Sequence, residues 1–293
     1  MLSKFFVYID IILGRIIFSS LLPFSYCLIN KKIDKKINNK SKSSYYSRKI
    51  NEKGFFIFKK KYEKFADSLN LIIKKQISEN NIVIKDVFYF KIDNKIKSLL
   101  RDFLNNEAKE LFQEIYKIFG LKIFITNIIL RRTVNINAKE EIYNNFFHFD
   151  KYTKNHIKIF FNLHDMNKDN GPTKIIPKLL SKKLLKNNFF KKRGDYVSNE
   201  NKINGVYKNE EKKGSFIICN TTECLHAASI PTSDNFRDIL TITTVATPMI
   251  NSNNIFFLDN KENEKYFWNG NSELSKKFAK PKIKDLFKFY QNF

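Results

Sequence analysis

Two stretches in the first half of the chain carry apolar residues at the spacing of an amphipathic helix. In residues 63–82, Phe65, Leu69 and Ile72 stand at positions i, i+4 and i+7, and residues 94–119 repeat that period. Because side chains at these spacings share one face of a helix, the pattern predicts two helices. A short strand is predicted just before them, at 54–62, where the apolar run GFFIF follows a polar stretch.

The pattern changes after Gly120, where β-branched and aromatic residues dominate. Four runs bounded by Gly, Pro or polar residues predict strands, at 121–136, 156–163, 214–220 and 237–248. No helical crossover separates these strands, so a parallel sheet is not expected. The order of elements predicts an α+β protein with a mainly β core, a β-sandwich or a barrel, preceded by helices. The polar, lysine-rich stretch 178–213 is predicted to be an insertion or lid.

Both ends of the chain differ from this middle part. Residues 1–30 are the most apolar stretch, but charged residues interrupt it, and its uncharged run is shorter than the roughly 20 residues of a spanning helix. Two interpretations stay open for it: a helix docked on the protein's own core, or an interfacial helix that contacts a membrane. Residues 31–53 are predicted to be an exposed basic linker, and residues 251–293 a tail that packs on the core.

The amino-acid composition limits the classes of function that the chain can have. The chain has 293 residues, of which 43% are hydrophobic and 28% charged, so it can bury a sizeable core. Its formal net charge of +24 on its own favours a nucleic-acid or acidic-membrane partner. The lysines are scattered along the whole chain, however, and the shared abundance of Lys, Asn, Ile and Phe is typical of A/T-rich codons, which argues against nucleic acid as a partner.

The three cysteines form neither a CxxC motif nor a zinc-binding spacing. Their odd number and wide separation argue against a disulfide framework, so a reducing cytoplasm is the predicted compartment. Cys224 is predicted to be a small buried apolar residue.

Candidate chemistry begins at His148-Phe149-Asp150. On an extended strand, residues i and i+2 point to the same face, which places an imidazole beside a carboxylate while Phe147 and Phe149 pack on the other side. Such a pair supplies two of the three ligands in the 2-His-1-carboxylate sites of non-haem Fe(II) oxygenases. The alternative is an ordinary His–Asp hydrogen bond at a strand end.

A second cluster makes the metal site the favoured interpretation. His226 follows the predicted strand 214–220, and Arg237 opens the next strand eleven positions later. The planar fork of a guanidinium can bind both oxygens of a carboxylate. The spacing therefore predicts a third metal ligand in His226 and, in Arg237, a partner for the distal carboxylate of a keto-acid co-substrate.

The other two histidines have simpler interpretations. His156 is predicted to face solvent or cap its strand, and His164 to make a loop hydrogen bond. They are the replacement ligands if the triad is wrong. The apolar walls of the site are predicted to come from five phenylalanines: Phe146, Phe147, Phe149, Phe160 and Phe161.

These motifs, in this order, resemble the phytanoyl-CoA dioxygenase (PhyH)-like family of Fe(II)/2-oxoglutarate-dependent oxygenases. The resemblance covers about residues 51–250 and is strongest in H-x-D, in L-x-D followed by NGP at 170–172, and in H-x10-R. It implies an oxygenase domain at 54–250, whose core at about 121–250 is a double-stranded β-helix, a cupin-like jelly roll, with the N-terminal helices packed outside.

By the same resemblance, His148, Asp150 and His226 would bind Fe(II), and Arg237 would bind 2-oxoglutarate, the co-substrate. Arg131, on the strand before H-x-D, is a weaker candidate for a cofactor contact. The chain departs from the family at two places: Pro177 lacks the usual Gly-Ser-His after it, and Ala228 stands where relatives often have Ser or Thr. Both departures concern substrate and co-substrate contacts more than the metal site.

The resemblance implies an oxygenase that hydroxylates a small organic or lipid-like substrate in the cytoplasm and releases succinate and CO2. Peripheral membrane contact through residues 1–29 stays open. Two alternatives also stay open: a jelly-roll binding module without catalysis, and a nucleic-acid-directed oxygenase of the same superfamily.

Overall fold

The computed structural model describes residues 45–84, 86–119, 123–135, 146–150, 156–187 and 203–246. The predicted N-terminal segment 1–30, the tail 251–293, most of the linker 31–53 and the middle of the stretch 178–213 lie outside these residues. Within the described ranges, none of the helices is both long and apolar enough to cross a membrane.

Five α-helices and nine strands are described. The helices are α1 (Tyr45–Lys53), α2 (Glu63–Glu79), α3 (Asn94–Asp102), α4 (Lys109–Phe119) and α5 (Lys178–Asn187). The strands are β1 (Phe55–Phe58), β2 (Val87–Tyr89), β3 (Ile123–Val134), β4 (His156–Asn162), β5 (Thr173–Ile175), β6 (Tyr207–Lys208), β7 (Phe216–Cys219), β8 (His226–Ala228) and β9 (Phe236–Ala246). A π-helical turn (Phe103–Glu107) joins α3 to α4, and a short 3-10 turn (Lys168–Asn170) precedes β5.

The described strands form two antiparallel sheets. The large sheet has six strands in the order β1-β7-β4-β9-β3-β2, and the small sheet has three in the order β6-β5-β8. The longest pairing joins β3 to β9 and sets Thr133 opposite Arg237, with a bulge between Ile125 and Asn127. Helices and antiparallel sheets together confirm the predicted α+β class.

The two faces of the large sheet pack against different partners. On its outer face, Phe161 and Leu240 join Phe65, Leu69 and other residues of the helices in one large core. On its inner face, Phe160, Ile217 and Ile239 pack with Ile175 of the small sheet. Both faces are therefore apolar along the central strands, which explains why β4 is an almost continuous run of buried residues.

The predicted helices and the four long strands are confirmed, with three differences. The second predicted helix, 94–119, is divided by the π-helical turn at Phe103–Glu107. The last nine residues of the predicted linker form α1, whose Ser47 and Ile50 are buried, so this part of 31–53 is not an exposed linker. The stretch 178–213 begins with α5 and includes β6, so its described parts are ordered elements.

Candidate metal centre

The backbone brings His148 and His226 together. The amide N–H of each residue donates to the carbonyl of the other, at 3.1 and 3.0 Å, which makes an isolated antiparallel bridge beside β8. The imidazole rings lie on the same side of this bridge with their centroids 4.2 Å apart. The two residues are 78 positions apart in the chain, so the bridge is the contact that assembles the candidate site.

Asp150 joins them from the end of the H-x-D motif. Its amide N–H donates to the carbonyl of Thr221 at 3.0 Å, and the Thr221 hydroxyl donates to its Oδ2 atom. One ligand atom from each of His148, Asp150 and His226 lies within 4.8 Å of the others. The structure therefore brings the three predicted ligands to one place, with Phe147 packed on the opposite side beside Leu225, as the alternation predicted.

Both imidazoles are oriented by backbone carbonyls. The Nδ1 atom of His148 lies 2.8 Å from the carbonyl oxygen of Phe146, and that of His226 lies 3.2 Å from the carbonyl oxygen of Cys224. Because a carbonyl only accepts hydrogen bonds, each Nδ1 carries the proton and each Nε2 keeps its lone pair. Metal-binding histidines typically have this arrangement, in which the second nitrogen fixes the tautomer and the ring orientation.

Electrostatics keep His226 and Asp150 in the protonation states that a metal needs. Burial lowers the pKa of His226 to about 3, so the imidazole is neutral at physiological pH. Burial would raise the pKa of Asp150, but the ammonium of Lys158, 2.7 Å from Oδ2, outweighs it and holds the pKa well below its usual range. Two imidazoles and one carboxylate are a donor set that fits a divalent transition metal.

Arg237 lies on the inner face at the start of β9 and is 1% exposed. Its Nη1 donates to the carbonyl of Gly171 at 2.6 Å and to that of Ser229 at 3.4 Å, and its Nη2 to the Thr133 hydroxyl at 3.4 Å. Its Nε is buried without a hydrogen-bond partner among the described residues. Burial and the nearby Arg131 lower its pKa to about 9. Among the described residues, the contacts of this buried guanidinium are with neutral oxygens, which makes it a candidate site for an anion.

The NGP motif shapes this anion site. Gly171 has a φ of 72°, in the left-handed region, and a Cβ atom there would lie 2.6 Å from both the Ser229 oxygen and the Pro231 nitrogen. The same glycine offers its carbonyl to Arg237. The motif is therefore a tight turn that packs against the loop between β8 and β9 and orients the guanidinium.

Arg131 and Arg132 lie on opposite faces of β3. Arg131 has the same parity as Thr133, so it belongs to the inner face with Arg237, and its buried Nε has no hydrogen-bond partner in the described part of the chain. Arg132 is on the outer face and makes a two-pronged ion pair with Asp238, at 2.7 and 2.6 Å. Of the two neighbours, only Arg131 faces the candidate site.

The remaining predictions have mixed outcomes. His164 accepts a hydrogen bond from the Asp238 amide at 3.0 Å, a structural role as predicted, and Cys224 is fully buried. His156 does not face solvent: it is the first residue of β4, pairs with Val245 of β9 and is 1% exposed. Phe161 is not a wall of the site, because alternation along β4 sends it into the helix-covered core and leaves Phe160 on the inner face.

Two side chains bind Asp150 and are not among the residues predicted for the site: Lys158 and Thr221. A signal for Lys158 was present: it is the one charged residue inside the apolar run HIKIFFN, where a buried strand normally excludes lysine. Thr221 follows a strand in a polar turn and carries no comparable signal.

No protein-family model matches the sequence, and no curated protein is similar to it at a significant level. Solved structures do match. HygX from Streptomyces hygroscopicus, with iron bound, has a TM-score of 0.51 at 6% identity, over 70% of this chain and 87% of HygX. HygX with nickel and 2-oxoglutarate bound has a TM-score of 0.50 at 9% identity, with the same coverage.

EctD from S. alaskensis, with 2-oxoglutarate and 5-hydroxyectoine, also matches, with a TM-score of 0.50 at 11% identity over 68% of this chain and 74% of EctD. Identities this low establish a shared fold and no more. The chain therefore has the fold of HygX and EctD.

Proposed function

We propose that the protein is a non-haem Fe(II)- and 2-oxoglutarate-dependent oxygenase that hydroxylates a small organic or lipid-like substrate and releases succinate and CO2. The observation that carries the proposal is the meeting of His148, Asp150 and His226 within 4.8 Å, in a buried place. Two imidazoles and one carboxylate on one side of a metal leave positions open for a co-substrate and dioxygen. The solved proteins of the same fold carry iron or 2-oxoglutarate in their structures, which supports the choice of cofactor.

The anion site supports 2-oxoglutarate as the co-substrate. In this proposal Arg237 binds the carboxylate far from the metal through its fork, and the Thr133 hydroxyl beside it is a further donor. Arg131 adds a second positive charge on the same face. A carboxylate buried here without a cation would cost several kcal/mol, so these two guanidinium groups decide whether a dicarboxylate binds.

The remaining residues of the chain orient groups and exclude water. When bound, iron supplies the activation of dioxygen that couples 2-oxoglutarate decarboxylation to hydroxylation. The two Nδ1 hydrogen bonds and the Thr221 hydroxyl hold the ligands in fixed directions. Phe160, Ile217 and Ile239 make the inner face apolar, which keeps a reactive centre away from bulk water.

The finer assignment rests on the motifs. H-x-D, NGP and H-x10-R support placing the chain in the PhyH-like family, with an oxygenase domain at 54–250. The antiparallel order of the two sheets supports a double-stranded β-helix at about 121–250. Asp150 at the ligand position argues against halogenation, in which that carboxylate is replaced to admit chloride.

The proposal can be tested without knowing the substrate, by measuring cofactor binding and uncoupled succinate formation. Purified protein with Fe(II) and 2-oxoglutarate, mixed without oxygen, is expected to develop a visible charge-transfer absorbance. After oxygen is admitted, it is expected to form succinate slowly in an uncoupled reaction. The Asp150→Ala variant, which lacks a ligand, is the control and is expected to show neither signal. A wild-type protein that binds neither Fe(II) nor 2-oxoglutarate would refute the proposal and leave the jelly-roll module without catalysis as the alternative.

A further inference from the structure

Lys158 is a charged residue in an unusual place. It lies in the middle of β4, between Thr243 of β9 and Cys219 of β7 in the register of the large sheet. Its side chain is 20% exposed, and its Nζ atom is 2.7 Å from Oδ2 of Asp150. An ammonium group is rarely buried this far unless an acidic partner compensates it. Here the partner is the carboxylate that the proposed function assigns to the metal.

The ammonium and the metal act on the same carboxylate. A divalent cation beside Asp150 is repelled by the charge of Lys158, and this repulsion is strong where solvent screening is weak. The lysine is not needed to orient the carboxylate, because the Thr221 hydroxyl and the Thr221 carbonyl hold Asp150 through its side chain and its backbone. Lys158 therefore affects the candidate metal site through its charge.

That charge has a different effect once an anion reaches the metal. A carboxylate that binds the metal next to Asp150 also comes within reach of the ammonium, which then attracts it. The neighbours of Lys158 along the sheet, Thr243 and Cys219, are uncharged at neutral pH, since burial raises the pKa of the Cys219 thiol well above its usual value. The ammonium is therefore the charged group of β4 that faces both ions.

We propose, on the basis of the proposed function, that Lys158 strengthens the coupling between metal binding and 2-oxoglutarate binding, beyond the coupling that direct contact between the co-substrate and the metal supplies. In the free protein the ammonium of Lys158 is the positive charge beside Asp150, and its repulsion weakens the binding of the divalent ion. With 2-oxoglutarate present, the same ammonium binds the carboxylate at the metal and favours the loaded complex. Lys158 acts through its charge in this scheme, and by linkage each ligand raises the affinity for the other by the same factor.

The test measures binding and does not depend on turnover. Isothermal titration calorimetry with Mn(II), without oxygen, gives the metal affinity of the full chain with and without saturating 2-oxoglutarate. We expect the wild-type Kd for Mn(II) to fall at least tenfold when 2-oxoglutarate is present. We expect Lys158→Met, which keeps a similar length without the charge, to bind Mn(II) alone about tenfold more tightly and to show a coupling factor about tenfold smaller than the wild type.

Two variants separate charge from packing. Lys158→Arg retains the charge and is expected to retain the coupling. Lys158→Gln keeps a hydrogen-bond donor toward Asp150 without the charge. It is expected to give the result predicted for Lys158→Met, and it takes the place of that variant if Lys158→Met does not fold. Lys208→Met, which removes an exposed lysine of β6, is the matched control and is expected to match the wild type.

Coupling that persists at the wild-type factor in Lys158→Gln would overturn the proposal. So would weaker Mn(II) binding in Lys158→Gln without 2-oxoglutarate, because the lysine would then act only by ordering the carboxylate. Failure of the proposed function is a separate result: the wild-type protein itself would bind neither Mn(II) nor 2-oxoglutarate, whatever residue stands at position 158.

Discussion

Removing the guanidinium of Arg237 tests the anion site most directly. The side chain is buried, and its Nε has no hydrogen-bond partner among the described residues. In the proposed complex, a carboxylate takes up this free donor capacity. Hydrogen bonds to charged groups contribute ~1.5–3 kcal/mol each, so the loss of a two-pronged contact weakens binding by about 3 kcal/mol or more. At ~1.4 kcal/mol per factor of ten, Arg237→Ala is expected to raise the 2-oxoglutarate requirement at least ~100-fold.

The assay is a titration of 2-oxoglutarate into the oxygen-free Fe(II) protein, followed by the charge-transfer absorbance. Arg237→Met is the volume-matched control: it keeps an apolar chain of similar length in the buried position and is expected to show the same loss. Arg237→Lys keeps the charge without the fork and is expected to lose about tenfold. Mn(II) affinity is expected to stay within a few-fold of wild type in all three, because Arg237 is not a metal ligand.

An unchanged 2-oxoglutarate requirement in both Arg237→Ala and Arg237→Met would refute this reasoning. The guanidinium would then serve only to hold the Gly171 carbonyl, and Arg131 would be the remaining candidate for the co-substrate. A parallel loss of Mn(II) affinity would instead indicate that the substitution disturbs the whole centre.

Three further outcomes are expected. His148→Ala is expected to reduce Mn(II) affinity at least ~100-fold by calorimetry, whereas His164→Ala, which alters a histidine outside the centre, is expected to leave it unchanged. The folded-state pKa of His226 is lowered to about 3, so as the pH falls the unfolded chain binds the proton first. The metal-free protein is therefore expected to lose about 1.4 kcal/mol of unfolding free energy per pH unit from this group, as the pH falls from 6.5 to about 3. Urea unfolding at pH 7 and 5 should show a shallower pH dependence in His226→Gln. Gly171→Ala is expected to cost more unfolding free energy than Gly205→Ala, by about 1–3 kcal/mol, because both positions have positive φ but only Gly171 is crowded; equal losses would contradict this.

The site motifs could be identified in the sequence because their chemistry is local. H-x-D needs only the alternation of an extended chain, and H-x10-R needs only a strand end followed by a turn. The resemblance favoured Arg131 over its neighbour only weakly, and alternation could not decide between the two arginines, because the bulge at Ile125/Asn127 shifts the parity along β3. Arg131 and Arg132 look alike in the sequence, and the long-range partner Asp238 distinguishes them.

The missed elements are those that tertiary contacts stabilise. Strands β5, β6 and β8 have only two or three residues each, too short for a period to be seen. Helix α1 is polar overall, and its Ile50 becomes a core residue only because the chain folds back over the large sheet. Lys158 interrupts an apolar run because its ammonium pairs with Asp150, eight residues earlier in the chain.

The turn between β8 and β9 has a consequence for which co-substrate can bind. Only residues 229–235 separate the strand that ends beyond His226 from the strand that carries Arg237, and the Ser229 carbonyl is itself bound by that arginine. A loop this short fixes how far the guanidinium stands from the metal ligands. If the protein is the proposed oxygenase, we expect it to discriminate against keto diacids one methylene longer or shorter than 2-oxoglutarate, because the metal ligands and the guanidinium are held at a fixed separation.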